Sequence, residues 1–168
     1  MSATTRCGYC AIVGPTNAGK STLMNAIIGK KVSITSRKVQ TTRCRITGVY
    51  THDHDQIVFV DTPGLFDAKR PLERAMIEEI WSVLHDVDLI VLVMDAAGAK
   101  MPPDFTALDR VLKRRRADQP LLLAFNKCDA VKDKARLLAL ASAYNDHHPF
   151  DATYMIAGAR GDGVADLV

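Results

Sequence analysis

A glycine-rich segment near the start of the chain contains the residue types that bind phosphate. It runs from Gly14 to Ser21 and reads G-x-x-x-x-G-K-S, between an apolar run and a helical pattern. Glycine lets the backbone approach a phosphate closely, and successive N–H groups in such a loop surround anionic oxygens. We expect Lys20 to reach the β- and γ-phosphates of a nucleotide and Ser21 to offer its hydroxyl to Mg²⁺. The residues expected to contact the nucleotide are Gly14, Pro15, Thr16, Asn17, Ala18, Gly19, Lys20, Ser21 and Thr22.

A second motif directly follows the apolar run Gln56–Val60 and reads D-T-P-G. A carboxylate at the end of a neighbouring strand can help to hold Mg²⁺, which predicts that role for Asp61. Gly64 can bring its backbone N–H to the γ-phosphate with no side chain in between, which makes it a catalytic candidate. The nucleotide contacts expected here come from Asp61, Thr62, Pro63, Gly64 and Leu65.

A third motif, N-K-C-D, follows the apolar run Leu121–Phe125. The Asp129 carboxylate can accept hydrogen bonds from N1–H and the amino group of guanine. Adenine lacks both donors and would leave the carboxylate unpaired. We expect Asn126 to bond guanine N7 and to brace the phosphate loop, and Lys127 to lie against the base and ribose, with Cys128 between them and Asp129. As the third motif in this order, N-K-C-D favours GTP over ATP, which the first motif alone does not distinguish.

A pair of threonines lies between the first predicted helix and the second predicted strand, in a segment rich in Ser, Thr and basic residues. A threonine hydroxyl here can bind Mg²⁺ when the loop closes over the γ-phosphate. We favour Thr42 over Thr41 for this catalytic and metal-binding role. The alternative is that both are surface residues.

Strand-like and helix-like segments alternate along the chain. The apolar runs CAIV, IVFV, LIVLVM and LLLAF are nearly continuous, which is typical of strands buried on both faces of a parallel sheet. The pattern predicts an α/β fold of the P-loop NTPase type, a three-layer αβα sandwich around a mostly parallel six-stranded sheet. The predicted strands are Tyr9–Val13, Arg45–Thr51, Gln56–Val60, Leu89–Met94, Leu121–Phe125 and Thr153–Ile156. The predicted helices are Lys20–Ile28, Leu72–Leu84, Asp104–Arg115 and Lys132–Asn145, with one more expected to open after Gly163.

Composition and charge narrow the class of protein. The 168 residues are 48% hydrophobic and 24% charged, an ordinary balance for one globular domain. The net charge of +3 permits contact with nucleic acid or an anionic membrane without requiring it. We interpret the basic run Lys113–Arg116 as a solvated helix end, with an RNA or membrane patch as the alternative. No run approaches the ~20 apolar residues of a membrane span, and Met1–Arg6 lacks a signal-peptide core, so we expect the cytoplasm.

Cys7 and Cys10 form a C-x-x-C that could suggest a zinc or redox site. Residues three apart on a strand point to opposite faces of a sheet, so we expect the two sulfurs not to meet. The five histidines show no catalytic pattern.

With these motifs assembled, the sequence resembles the Era GTPases over nearly all of residues 7–168. The residues that carry the resemblance are Gly14–Leu23 (GPTNAGKSTL), Val32–Arg43 (VSITSRKVQTTR), Asp61–Leu65 (DTPGL) and Asn126–Asp129 (NKCD). The Val32–Arg43 stretch is the most specific of these. The resemblance implies a GTPase that uses Mg²⁺ and cycles between GTP and GDP.

Three residue matches refine what the resemblance implies. Leu65 stands where Ras carries a water-orienting glutamine, which implies slow intrinsic turnover. Asn17 matches a loop asparagine that holds K⁺ in relatives, where the ion stabilises developing charge as an arginine finger does. Ala157 and Gly158 stand where the family reads Ser-Ala. The backbone N–H of Gly158 can still supply the family's contact to guanine O6, whereas loss of the serine hydroxyl is expected to weaken affinity.

The resemblance also implies partners. Era proteins carry a C-terminal KH domain that binds the 3′ end of small-subunit ribosomal RNA. We expect residues 1–168 to form the GTP-binding domain alone, without that KH domain. The implied partners are 16S rRNA and the 30S subunit, mainly through the KH domain, with a peripheral contact to the inner membrane and no DNA. The implied role is 30S assembly and 16S rRNA maturation.

Two other interpretations remain open from the sequence. One is a nucleotide-binding scaffold with negligible turnover, which Leu65 and the altered Ala157-Gly158 motif permit. The other is a related GTPase that acts in tRNA modification or large-subunit assembly.

Overall fold

Ten helices and strands are seen in the structure, a computed structural model that describes residues 5–30, 46–65 and 70–168. The strands are β1 (Arg6–Val13), β2 (Ile46–His52), β3 (Asp55–Asp61), β4 (Leu89–Asp95), β5 (Leu121–Asn126) and β6 (Ala152–Met155). The helices are α1 (Lys20–Ile28), α2 (Pro71–Asp86), α3 (Thr106–Leu112) and α4 (Lys134–His147). A short 3₁₀ turn, Cys128–Ala130, follows β5.

The six strands form one sheet in the order β2-β3-β1-β4-β5-β6. β2 pairs with β3 in antiparallel fashion, and every other neighbouring pair is parallel. A short hairpin can join the antiparallel β2 and β3, whereas parallel neighbours need longer crossover connections. The expected mostly parallel six-stranded sheet is confirmed.

Both faces of the sheet are covered, which explains the continuous apolar runs. On one face, Ile12 of β1 packs in a cluster with Leu23 and Met24 of α1. On the other face, Val13 and Leu92 pack in a cluster with side chains of α2, α3 and α4. Central strands therefore have no solvent-facing side near their carboxyl ends. The expected three layers are confirmed.

Several element boundaries differ from those expected. Helix α3 begins after Asp104, whose carboxylate accepts a hydrogen bond from Thr106 N–H, and it ends at Leu112 instead of Arg115. The helix expected after Gly163 is absent from residues 164–168, and Gly161 and Gly163 adopt φ angles of +85° and +70°. The residues after them form turns instead. Strands β3, β4 and β5 each extend one residue further than expected, to end on a polar side chain.

The basic run is held against the protein. The Arg114 guanidinium lies over the ring of Trp81, 5.3 Å from its centroid. Arg115 donates to the backbone carbonyl of Gln119, and Arg116 donates to that of His85. These contacts favour a structural role for the three arginines over a free nucleic-acid or membrane patch. No helix in the described part of the chain is both long and apolar enough to cross a membrane.

Cys7 and Cys10 differ in exposure, as expected for residues three apart on a strand. Cys7 is exposed and Cys10 is buried, and both are free thiols. Burial raises the pKa of the Cys10 thiol to about 12, so this sulfur stays protonated and unreactive.

Candidate functional site

Four loops that follow parallel strands meet at one edge of the sheet. β3, β1, β4 and β5 are neighbours in that order, so their carboxyl ends lie side by side. The strand register places Asp61 of β3 beside Ile12 of β1, and Asp95 of β4 beside Asn126 of β5. In open α/β sheets, ligands bind outside the carboxyl ends of the strands. The three sequence motifs are therefore brought together at the place where this fold binds ligands.

Lys20 lies at the first turn of α1 beneath the glycine-rich loop. Its side chain is buried, and its Nζ donates to the carbonyls of Gly14 at 3.1 Å and Pro15 at 2.9 Å. Burial lowers the pKa of the Lys20 ammonium to about 8, and the negative charge of Asp61 opposes this shift. A buried cation whose charged form is costly to keep is stabilised by an anion, as a phosphate group would supply.

Ser21 and Asp61 form an oxygen pair beside Lys20. The Ser21 hydroxyl donates to Asp61 Oδ2 at 2.6 Å, and the Asp61 residue is fully buried. A hydroxyl and a carboxylate are hard oxygen ligands of the type that Mg²⁺ binds, and Mg²⁺ takes few protein ligands when phosphates supply others. The described residues contain no cluster of three or more His, Cys, Asp or Glu that could hold a metal alone. The oxygen pair of Ser21 and Asp61 fits a Mg²⁺ that also takes ligands from a nucleotide.

The second motif packs directly on the glycine-rich loop. Leu65 N–H donates to Gly14 O at 2.9 Å, and a Cβ built on Gly64 would lie 2.7 Å from Thr16 Cα. Only glycine fits at this contact. The Thr62 hydroxyl is buried and donates to Ile12 O at 2.9 Å, so it fixes the motif to β1. Pro63 is buried beside it.

Asn126 connects three segments of the site. Its Nδ2 donates to Ala18 O at 2.9 Å, which is the expected brace on the phosphate loop. Its Oδ1 accepts from Lys127 N–H at 2.8 Å and from Gly158 N–H at 2.9 Å. The Gly158 amide that we expected to contact guanine O6 is thus also bonded to Asn126. The side chain that opens the third motif holds the phosphate loop and the Ala157-Gly158 segment in one rigid unit.

The remaining residues of the third motif divide between pocket and interior. Asp129 is exposed and lies in the 3₁₀ turn, where its carboxylate is open to a ligand. Cys128 is buried and its Sγ donates to Phe125 O, so this side chain faces the core. Lys134 Nζ donates to Cys128 O at 3.0 Å and ties the turn to α4. Ala157 is buried and pairs with Asp162 as an isolated bridge.

Lys127 reaches across the site with its backbone in a left-handed conformation, φ +64°. Its Nζ donates to Asn17 O and to Asp95 Oδ2, both at 2.6 Å. Asp95 was not expected from the sequence. The sequence feature that could have identified Asp95 is its position: it is the acidic residue that ends the apolar run of β4, at the same edge as the three motifs.

Thr41 and Thr42 lie outside the described residues, and so does the segment directly after Leu65. Their expected roles therefore stay predictions.

Comparison with known proteins identifies the family of this chain. The chain matches the family described as 50S ribosome-binding GTPase over residues 9–127. It is 48% identical to GTPase Era of Bradyrhizobium diazoefficiens over 165 residues, which covers 98% of this chain and 52% of that protein. It is 47% identical to GTPase Era of Dinoroseobacter shibae over 166 residues, covering 99% of this chain and 54% of that protein. The chain thus spans about half the length of these relatives.

Solved structures show the same fold. A crystal structure of Era in complex with MgGDPNP and nucleotides 1506–1542 of 16S ribosomal RNA has a TM-score of 0.89 at 33% identity, covering 98% of this chain and 55% of that one. A point variant of Aquifex aeolicus Era bound to GDP·AlF4⁻ has a TM-score of 0.86 at 32% identity, covering 96% of this chain and 54% of that one. Taken with the family match over most of the sequence, these similarities show that the chain belongs to the 50S ribosome-binding GTPase family and resembles GTPase Era along its length.

Proposed function

We propose that this chain binds GTP with Mg²⁺, hydrolyses it to GDP and phosphate, and acts as a nucleotide-dependent switch in 30S assembly and 16S rRNA maturation. The observation that carries the proposal is the Asn126 side chain, which bonds Ala18 O and so holds the base-reading motif next to the phosphate loop. A base site and a phosphate site held at one fixed separation are what a nucleotide requires.

Each part of the site has a separate task in this reaction. Lys20 donates to oxygens of the β- and γ-phosphates and keeps its charge through that contact. Ser21 and Asp61 would hold Mg²⁺, which would supply positive charge beside the phosphates. Gly64 presents its N–H to the γ-phosphate. Because Leu65 carries no polar group to orient water, the chain itself supplies little help to the attacking water and turnover is slow.

Guanine is selected by Asp129. Its carboxylate accepts from guanine N1–H and the amino group, and adenine has neither donor. The Ala157-Gly158 segment closes the opposite side of the base. Its Gly158 amide is already bonded to Asn126, so a contact to guanine O6 shares that N–H.

We also infer that K⁺ accelerates hydrolysis through Asn17. The left-handed backbone of Asn17, φ +62°, places this residue at the tip of the phosphate loop, where developing charge on the γ-phosphate needs stabilising. GTP-dependent ordering of Thr42 completes the switch, and loss of the γ-phosphate releases it.

Single-turnover GTP hydrolysis by the purified chain, in K⁺ and in Na⁺ at equal ionic strength, tests this function. We expect faster hydrolysis in K⁺, and Asn17→Ala should remove the difference while Asn145→Ala on α4 keeps it. Binding of GTP with no hydrolysis in either salt would instead support a scaffold with negligible turnover. Lys20→Ala should abolish tight nucleotide binding.

We favour the small ribosomal subunit over the large one as the partner of this chain. The solved Era complex holds 16S nucleotides, whereas the family description names the 50S subunit. Co-sedimentation of the GDPNP-loaded chain with purified 30S and 50S subunits separates the two. Preference for 50S would contradict the proposed role. The peripheral inner-membrane contact and the cytoplasmic location stay predictions, and vesicle co-sedimentation tests the former.

A further inference from the structure

Asp95 holds the lysine of the third motif. It is the last residue of β4, and its two carboxylate oxygens have different partners. Oδ1 accepts backbone N–H groups from Ala97 and Gly98, both at 3.0 Å. Oδ2 accepts from Lys127 Nζ at 2.6 Å. The two backbone bonds orient the carboxylate, so Oδ2 is presented to Lys127 at a defined place.

Lys127 is thereby fixed at both ends. Its backbone is held at φ +64° next to Asn126, and its ammonium is held by Asp95 and by Asn17 O. The alkyl chain between these points runs from the base-reading motif to the tip of the phosphate loop. A lysine without the Asp95 contact loses one of the two bonds that keep its ammonium there, and its four-carbon chain regains rotamer freedom.

We propose that Asp95 is a positioning residue for guanine nucleotide binding: it anchors the Lys127 ammonium so that the Lys127 chain lies in place between base and phosphate loop. This inference rests on the proposed nucleotide binding and adds a residue to it. Asp95 acts through Lys127 and does not itself contact the nucleotide.

The exposure of the Lys127 and Asp95 side chains limits how much their contact can contribute to nucleotide affinity. The side chains of Lys127 and Asp95 are 39% and 30% exposed, so solvent screens their charges in part. A hydrogen bond between charged groups at such a place predicts about a tenfold change in affinity when it is lost.

Asp95→Asn distinguishes the anchoring of Lys127 from a role of Asp95 in the turn after β4 alone. The asparagine Oδ1 still accepts from Ala97 and Gly98 N–H, so the turn after β4 is kept. Its NH₂ group, however, meets the Lys127 ammonium as donor against donor, and the anchoring bond is lost. Lys127→Met removes the ammonium and keeps a chain of similar length.

The test is a double-mutant cycle on the dissociation constant of Mg·mant-GDP. We expect Asp95→Asn to weaken binding about tenfold in the native background and by less than about twofold in the Lys127→Met background. Because the Asp95 carboxylate does not contact the reacting phosphate, the fold-change in the hydrolysis rate at saturating GTP should be smaller than the fold-change in the dissociation constant. The control is Asp88→Asn, the same substitution at the residue just before the first residue of β4. The Asp88 carboxylate accepts a hydrogen bond from Tyr9 N–H, at the other end of the strand from Asp95.

Unchanged or tighter binding by Asp95→Asn, or an equal loss in both backgrounds, would overturn the inference. If the native chain does not bind mant-GDP at all, it is the proposed function that fails. Should Asp95→Asn not fold, the ammonium of Lys127 can be observed directly in the GDP-bound native chain by ¹⁵N NMR, assigned with Lys127→Met. A slowly exchanging Lys127 signal supports the anchored lysine, and its absence contradicts it.

Discussion

Lys20 shows how one side chain can oppose folding and serve binding. It is buried, and the pKa of its ammonium falls to about 8 from an ordinary 10.5. The described protein groups around it, two carbonyls and Asp61, offset only part of the cost of burying its charge. An anionic ligand that binds beside the ammonium would offset the rest of this cost, which favours binding.

The pH dependence of stability tests this environment. Between about pH 8 and 10.5 the unfolded chain keeps a proton on Lys20 that the folded chain has released, so the contribution of Lys20 to the free energy of unfolding rises with pH. We expect the Tm of the nucleotide-free native chain to rise relative to that of Lys20→Met from about pH 7.5 to about pH 10. Thermal melts followed by circular dichroism measure this, with Lys100→Met as an exposed control. A constant difference would contradict the assigned pKa shift.

The proposed selection of guanine also depends on a single residue, Asp129. Asp129→Asn should weaken GDP binding by at least about a hundredfold, because two hydrogen bonds to a charged acceptor are lost. The same variant should gain affinity for xanthosine diphosphate, whose added carbonyl accepts from the asparagine amide. Competition against mant-GDP measures both.

Asp133→Asn is the matched control for this change, since Asp133 caps α4 by accepting Ala135 N–H at 3.0 Å and asparagine caps equally well. An unchanged guanine preference in Asp129→Asn would show that another residue reads the base.

At the scale of elements, the loop that connects β1 to α1 packs closely against Asn126 at the end of β5. Gly19 precedes α1 with φ +96°, and a Cβ there would overlap the Nδ2 atom of Asn126. The phosphate loop and the base-reading loop are therefore packed against each other with no room for a methyl group. Asn126 can brace Ala18 O only because residue 19 is glycine.

Gly19→Ala should therefore displace Asn126 and weaken nucleotide binding more than about tenfold, in addition to a backbone cost of about 1–2 kcal/mol. Gly29→Ala is the control, because Gly29 has φ +70° at the end of α1 but nothing within 4 Å of an added Cβ. Both variants should lose stability in urea unfolding, and only Gly19→Ala should lose affinity. Equal affinities would show that the contact with Asn126 is dispensable.

At the scale of the whole molecule, a ligand at this edge would bridge loops from four strands. Ligand binding to the folded state alone adds about 2.7 kcal/mol at roughly a hundred times the dissociation constant. For a chain of this length that corresponds to an increase in Tm of roughly 5–10 °C. Nucleotide binding at the proposed site would thus stabilise this edge of the sheet.

Mg·GDP should produce this increase in Tm, and removal of Mg²⁺ with EDTA should reduce it. Without the cation, the Asp61 carboxylate faces the phosphates with no positive charge between them. Differential scanning fluorimetry measures both effects, with Mg·ADP as the comparison. An equal increase with ADP would contradict guanine selection.

The sequence alone determined those features whose signals are local. Continuous apolar runs identify strands that are buried on both sides, and residues that end such runs lie at the carboxyl edge of a parallel sheet. Together with the three ordered motifs, that reasoning predicted one site containing Lys20, Ser21, Asp61 and Asn126. The boundaries of α1 and the brace from Asn126 to the phosphate loop were also correct.

Tertiary structure alone decided the partners that are far apart in sequence. The Lys127 ammonium meets Asn17 O across 110 residues and Asp95 across 32. These pairs depend on strand register and on the direction of each side chain, which residue pattern does not encode. The residues after Gly163 likewise form turns in place of the expected last helix. Local sequence therefore specified which residues reach the sheet edge, whereas packing specified which of them touch, because a contact between distant segments is a property of the assembled layers.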